Sequence, residues 1–382
     1  MTHRSLNNHN CRDKHARGNR DENEGRPFMT TTMRALRWYA RGDVRVDEIP
    51  RPTPAPGQAL VRVDRVGLCG TDVEEFLTGP HDIPVSGPHP VSGAQAPLIT
   101  GHEIVGTVVE CASQPGWVGK RVIPDVVEGC GTCWWCERHE VGLCPNLVVL
   151  GQHAPGGMAE YMVCRANTLV SVGPDVPVEV AALAEPTAVA VRAVAKISEL
   201  RGATVAVVGA GVVGNLVVQV ARGVGAQVLV LDPSATQRNR ALEVGAAAVA
   251  ASGDEFRGVV AEYTGGRLAD AVFECAGRPA AVADAFSVTR RSGTTVLVGI
   301  SDATPPLPWR DIVLSEKRVV GTAAHVWDTD VVTAVRLLST GVVNPRPLIS
   351  ETVGFEGVAE AFARLAAPSD LAKILVDPAR AE

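Results

Sequence analysis

The sequence has no run of about 18 apolar residues free of charge or turn signals, so nothing in it reads as a membrane-spanning helix. Its first 32 residues, MTHRSLNNHNCRDKHARGNRDENEGRPFMTTT, lack the apolar stretch of a secretory signal. They are also nearly empty of core-forming residues. A polar, Asn- and Arg-rich segment of this kind is expected to be a disordered extension, with the fold starting at Met33. His3, His9 and His15 in it read as part of a solvated tail rather than as metal ligands. An excess of basic charge is missing too. The net charge is −6, and the first 32 residues carry six Lys+Arg against four Asp+Glu, which leaves the remainder near −8. An acidic body argues against a nucleic-acid partner or an anionic membrane surface. Internal repeats are absent.

What remains is a chain of 382 residues with 46% hydrophobic and 20% charged content, which reads as soluble, globular and too long for one ordinary core. Nine cysteines accompany no secretion signal. In a reducing cytoplasm, clustered cysteines read as metal ligands rather than disulfides.

From 34 to 165 the pattern is short strands and turns: ALRWY, VRVDEI, ALVRVDRVGL and EIVGTVVE are β-rich runs broken by Pro/Gly stretches. Residues 78–100, TGPHDIPVSGPHPVSGAQAPLIT, form a long loop, and a loop of that length in a compact domain is usually functional. The character changes after about residue 187. ATVAVVG, AQVLVLD, DAVFECAG and TTVLVGI read as strands alternating with helical segments, which implies a parallel, doubly wound sheet. Past about 325 come helical stretches and a last strand, KILVD. The expected organisation is therefore an α/β fold. A β-rich domain spans 33–187 with a metal lobe at 129–145, a Rossmann domain spans 188–324, and the first domain resumes over 325–382.

Gly209-Ala210-Gly211-Val212-Val213-Gly214 is G-x-G-x-x-G, and it sits after a buried-type strand and opens a helix. Gly209 allows a tight turn, Gly211 lets the backbone approach a pyrophosphate, and Gly214 lets helix and strand pack closely, with the helix N-terminus facing the phosphates. Asp232 ends the next strand, 18 residues after Gly214. A carboxylate there accepts hydrogen bonds from a ribose 2′-OH and repels a 2′-phosphate, which favours NAD, while nearby Arg238 keeps NADP open.

Residues 129–144, GCGTCWWCERHEVGLC, place Cys130, Cys133, Cys136 and Cys144 within fifteen positions. Four thiolates close a tetrahedral zinc shell and leave no position for substrate, so this set reads as structural. An iron–sulfur cluster is the other occupant that thiolates suit. Trp134 and Trp135 read as packing or interface residues. A second set is looser: Cys69 follows a strand, His102 opens another and Glu185 precedes the cofactor domain. Together they would make a mixed S/N/O site with one open position. Singly, Cys69 reads as a small buried hydrophobe, His102 as a core histidine and Glu185 as a helix N-terminal charge.

GLCGTD, GHE, the four-cysteine lobe, GAGVVG, FECAG and LVGI occur in the order and approximate spacing of the zinc-dependent medium-chain alcohol/polyol dehydrogenases, and the resemblance covers essentially 33–382. The extended GPHDIPVSGPHP…APLITGHE segment is similar to the (R,R)-2,3-butanediol dehydrogenase branch. The resemblance implies two zinc ions per subunit, one catalytic and one structural, with NAD as cofactor. It implies Cys69 and His102 as catalytic zinc ligands, and Glu103 as a carboxylate that ligates or adjoins the metal. Glu185 falls at the family's variable ligand position. Asp72 would orient the histidine ligand, and Thr71 would take the proton from the alcohol. It implies a small alcohol or diol as substrate, with butanediol and acetoin leading. Sorbitol, xylitol or threonine is the alternative within the class, and a non-catalytic NAD- and zinc-binding protein the alternative outside it. It further implies a homodimer or homotetramer. One departure is Glu74, where many relatives carry a relay histidine: Glu74 and Glu75 read equally well as solvated carboxylates. His81 and His89 in the long loop, and His153 and His325 elsewhere, are further candidates to touch substrate.

Overall fold

The β-branched runs of the first half pair antiparallel. In the computed structural model, which describes residues 31–367 and 370–380, Asp43–Pro50, Thr32–Ala40 and Leu98–Ile99 form a three-stranded sheet in that order. A seven-stranded sheet runs Val170–Ser171, Arg121–Ile123, Glu103–Glu110, Gln58–Gly67, Lys373–Val376 and Ile349–Val353, with Tyr161–Arg165 also on Gln58–Gly67. Gln58–Gly67 is paired along both edges and is buried at most of its positions. Its last residues, Val66 and Gly67, pair with Val376 and Leu375 from the far end of the chain. The expected disordered extension at 1–32 lies almost wholly outside the described residues, and so do His3, His9 and His15.

The second sheet is parallel throughout. Its six strands lie in the order Ala248–Ala250, Gln227–Leu231, Thr204–Val208, Ala269–Glu274, Thr289–Leu297 and Arg318–Gly321. Counted along the chain this is 3-2-1-4-5-6, the doubly wound Rossmann order. Thr204–Val208 is buried at every position, as a strand covered on both faces must be. The order reverses beside it, and in such sheets a ligand binds outside the carboxyl ends of the strands at that reversal.

Helix Ala184–Val194 joins the two sheets. It packs on helix Val212–Gly223 and on strand Glu103–Glu110. Its buried positions belong to a core that takes Val105, Ile123, Val170 and Leu375 from the mixed sheet and Val205, Val207 and Phe273 from the parallel one. Thr32–Glu382 therefore forms one compact unit, and the boundary placed at 187/188 falls inside a continuous helix.

Candidate functional site

In the cysteine lobe the backbone makes a succession of short turns, with 3-10 segments at Cys136–Arg138 and Val141–Leu143. These turns bring the Sγ atoms of Cys130, Cys133, Cys136 and Cys144 within 4.8 Å of one another. Cys133 and Cys144 Sγ are 3.7 Å apart. Two thiolates on a tetrahedral zinc with bonds of about 2.3 Å stand about 3.8 Å apart, so the cluster fits zinc. The Thr132 N–H and hydroxyl pull the Cys130 thiol down to about 6, whereas burial pushes Cys136 up to about 12. Filling the site would discharge these thiol protons. Trp134 and Trp135 meet edge to face at 4.6 Å on the outside of the lobe, with Arg138 3.9 Å above Trp134.

The second set is assembled from distant segments. Cys69 is the N-cap of helix Gly70–Thr78, and its backbone N–H donates to Asp72 Oδ2 at 3.0 Å. Thr71 Oγ1 stands 3.4 Å from His102 Nε2. On the other side of the ring, His102 Nδ1 faces Asp72 Oδ1 at 3.8 Å without a hydrogen bond. Burial opposes charge on His102, but Asp72 and Cys69 outweigh it and raise its pKa well above the usual range. A half-buried thiol, the His102 imidazole and the Glu185 carboxylate are a fitting donor set for zinc. Cys69, His102 and Glu185 would hold it, although among the described residues only the four lobe cysteines stand within ligating distance of one another as a group.

Glu103 is placed differently. Its Oε1 accepts from Lys373 Nζ at 2.6 Å, and Lys373 also donates to the Leu68 carbonyl at 2.7 Å. Both side chains are buried. Oε2 lies over Gly67, where a Cβ would come within 2.0 Å of it, so only glycine fits there. Burial raises the Glu103 pKa against the pull of Lys373. Burial lowers that of Lys373, but Glu103 reverses the shift and leaves it raised. Lys373, 270 residues away, carries no motif and is absent from the sequence reading; a charged residue inside the apolar run KILV was its one trace.

Glu185 sits in the first turn of helix Ala184–Val194, and its Oε1 lies 3.3 Å from His325 Nδ1. Burial would raise its pKa, but His325 overrides this and lowers it. His325 is buried, and its Nε2 is 3.2 Å from Asp125 Oδ1. Those two carboxylates outweigh burial and raise His325 to about 9.

The glycine loop is formed as its motif demands. Gly209 has φ +95, and a Cβ on it would meet Ala276 at 2.9 Å. A Cβ on Gly214 would lie 1.9 Å from the Gly209 carbonyl oxygen, so helix and turn touch backbone to backbone. Gly211 caps helix Val212–Gly223, whose first residues Val212 and Val213 present their N–H groups there, and a Cβ on Gly211 would meet nothing. This open, N–H-lined cradle fits a pyrophosphate. Asp232 Oδ2 accepts from the Ala210 N–H and Oδ1 from the Ser234 N–H, both at 2.8 Å. Arg238 donates to the Asp232 and Pro233 carbonyls.

Of the remaining candidates, Glu74 is exposed, but Glu75 is not the solvated carboxylate expected. It is buried and accepts the N–H groups of His81, Asp82 and Ile83, which pins the start of the long loop. Sequence position alone does not distinguish the two; helix phase puts Glu75 inward beside Asp72 and Val73. His81 contacts Thr78, and His89 stacks on His153 at 4.8 Å. These contacts bring none of the three to Cys69. A separate basic cleft of about 720 Å³, lined by Arg257, Arg267, Arg290, Arg291 and Lys317, shares no residue with either set.

Comparison with known proteins gives this arrangement its context. Residues 55–174 match the alcohol dehydrogenase GroES-like domain and 212–340 the zinc-binding dehydrogenase family. The (R,R)-butanediol dehydrogenase of Bacillus subtilis (strain 168) is 32% identical over 355 residues, covering 91% of this chain and all of the relative. The chain belongs to the zinc-dependent medium-chain alcohol dehydrogenases. A sorbitol dehydrogenase from Halalkalibacterium halodurans is 31% identical over 82% of this chain and 89% of the relative. A solved protein from Sinorhizobium meliloti 1021, classed as a zinc-binding dehydrogenase and bound to NADP, is 30% identical with a TM-score of 0.82, over 91% of this chain and all of that one. This dehydrogenase is thus an oxidoreductase that works with zinc and a nicotinamide dinucleotide, which sets aside the non-catalytic alternative.

Proposed function

We propose that the dehydrogenase oxidises a secondary alcohol of a vicinal diol, 2,3-butanediol to acetoin, reversibly and with NAD. The observation that carries the alcohol chemistry is the Thr71 hydroxyl 3.4 Å from His102 Nε2, on the helix that Cys69 caps. Cys69, His102 and Glu185 would hold the metal, and Asp72 accepts the Cys69 backbone N–H and places its charge beside the histidine ring. A zinc ion held there would supply Lewis acidity, which at good sites is worth about 12 kcal/mol towards ionising a hydroxyl. The nicotinamide supplies the hydride acceptor. Thr71 Oγ1 accepts the proton of the substrate hydroxyl and passes it outward. Glu74, exposed one turn along the same face, offers an acceptor on that path. Asp232 accepts the ribose 2′-OH, and its charge disfavours a 2′-phosphate.

The full-length match to the Bacillus relative and the long 78–100 segment support a butanediol-type substrate. The sorbitol relative supports a longer polyol as the second reading. We assign 33–187 with 325–382 to the catalytic part, 188–324 to the cofactor part, and the enzyme to the cytoplasm. Ile300, Trp309, Val313 and Leu314 are exposed next to the edge strand Arg318–Gly321, which supports a homodimer or homotetramer. Initial rates of NADH formation with the separate 2,3-butanediol stereoisomers, sorbitol and threonine test the substrate. Turnover of one butanediol isomer, lost on chelation and restored by zinc, is expected. Activity confined to sorbitol moves the substrate and keeps the mechanism.

A further inference from the structure

Three segments remote in sequence meet at His325. Asp125 follows strand Arg121–Ile123, and its Oδ1 is fixed by the Val127 N–H at 3.1 Å. Glu185 lies on helix Ala184–Val194, and His325 follows the edge strand Arg318–Gly321. All three side chains are buried or nearly so, with side-chain exposures of 4%, 13% and 1%. The imidazole therefore stands between two carboxylates, with Nε2 hydrogen-bonded to Asp125 Oδ1 at 3.2 Å and Nδ1 3.3 Å from Glu185 Oε1 without hydrogen-bond geometry.

The segment that delivers His325 is held at several points. Arg192 Nε donates to the Ala323 carbonyl at 3.1 Å, and Arg192 also meets Asp330 Oδ2 at 3.3 Å. Asp330 Oδ2 accepts the Val326 N–H at 2.8 Å. His139 of the cysteine lobe meets Asp328 at 2.6 Å. Glu185 and Arg192 are seven residues apart, two helical turns, so they share a face and grip the 323–330 segment together. The segment then passes into a π-helical turn at Trp327–Val331, an irregularity that clusters at functional sites. A buried histidine set between two acids does more than fill space.

We infer that His325, backed by Asp125, is a positioning residue that fixes the Glu185 carboxylate as a ligand of the catalytic metal. The inference rests on the metal assignment made above. The contact engages Glu185 Oε1. Lys373 meanwhile occupies Glu103, so the two carboxylates of the site have different keepers. Outer partners of this kind set ligand orientation, and their loss weakens a metal site by roughly 10- to 100-fold.

The test uses the full-length holoenzyme and its cobalt-substituted form, in wild type and in His325→Leu, His325→Gln, Asp125→Asn and Cys69→Ser. Catalytic-site metal retention is measured by chelator competition, and ligand geometry by the visible spectrum of the cobalt form. His325→Leu is expected to lose catalytic-site metal 10- to 100-fold more readily and to change the cobalt spectrum, with the lobe metal unmoved. His325→Gln, which keeps a polar side chain next to Glu185, recovers part of both, and Asp125→Asn shows a smaller change of the same sign. If His325→Leu does not fold, the Gln and Asn variants decide. Unchanged retention and spectrum in the folded variants overturn the positioning role. Loss of one metal in Cys69→Ser beside unchanged His325 variants rejects this inference alone. Two metals retained in Cys69→Ser reject the metal assignment, and this inference with it.

Discussion

The cysteine lobe and the proposed Cys69–His102 metal site are made in opposite ways. The lobe draws four thiols from fifteen consecutive positions, and local turns alone bring them within 4.8 Å. The other site draws Cys69, His102 and Glu185 from a helix cap, a strand start and a helix first turn, and His325 and Lys373 from later still. The lobe is closed on itself and partly exposed. The site has a buried His102 between half-buried Cys69 and Glu185 and is set among supporting charges. A closed four-thiolate site has no open position, whereas one with three protein ligands can admit a substrate.

Changes at the dispersed site should show the largest effects, on chemistry. Cys69→Ser is expected to lower kcat/KM at least about 10³-fold while the unfolding temperature moves by no more than about 2 °C, measured by steady-state kinetics and calorimetry. Surviving turnover would mean the metal sits elsewhere. Lys373→Met leaves Glu103 buried without a partner and should cost about 3–5 kcal/mol in denaturant unfolding. Adding Glu103→Leu should return most of that loss, and a double variant no better than the single one would show that the two charges are not coupled. Cys130→Ser should reverse the pattern. The unfolding temperature falls on the order of 5 °C while kcat of the folded enzyme is kept, and a loss of chemistry alone would erase the contrast between the two regions. Asp232→Ser sharpens a third region: the NAD to NADP ratio of kcat/KM should drop about tenfold, and an unchanged ratio would remove Asp232 from cofactor selection. The smallest effect belongs to the bridge between lobe and site. The His139–Asp328 pair is exposed, so His139→Ala should cost under about 1 kcal/mol and leave kcat unchanged, whereas a fall in kcat would mean the regions are not independent.

Legibility in the sequence followed the same division. The parallel sheet was readable because each strand is a short apolar run beside its own helix, and GAGVVG names its turn chemically. The lobe was readable because spacing alone sets its geometry. Cys69 and His102 were ambiguous singly, since burial and ligation use the same residue types, and only their resemblance to a family set them apart. Glu75 was misread because two adjacent carboxylates differ only by 100° of helix phase. Lys373 and the pairing of His325 with Glu185 were out of reach, because tertiary contact over 270 and 140 positions leaves no periodicity to detect.

The strand Lys373–Val376 has a consequence for how the protein is made. It fills the edge of Gln58–Gly67 and supplies the cation for Glu103, yet it emerges from the ribosome 270 residues after that glutamate. At 5–20 residues per second the nascent chain waits roughly a quarter of a minute to a minute for its counter-ion. Over that interval the early sheet carries an uncovered edge and an acid with nowhere to bury its charge. The edge of Gln58–Gly67 and the Glu103 ion pair can therefore close only after translation has passed residue 373.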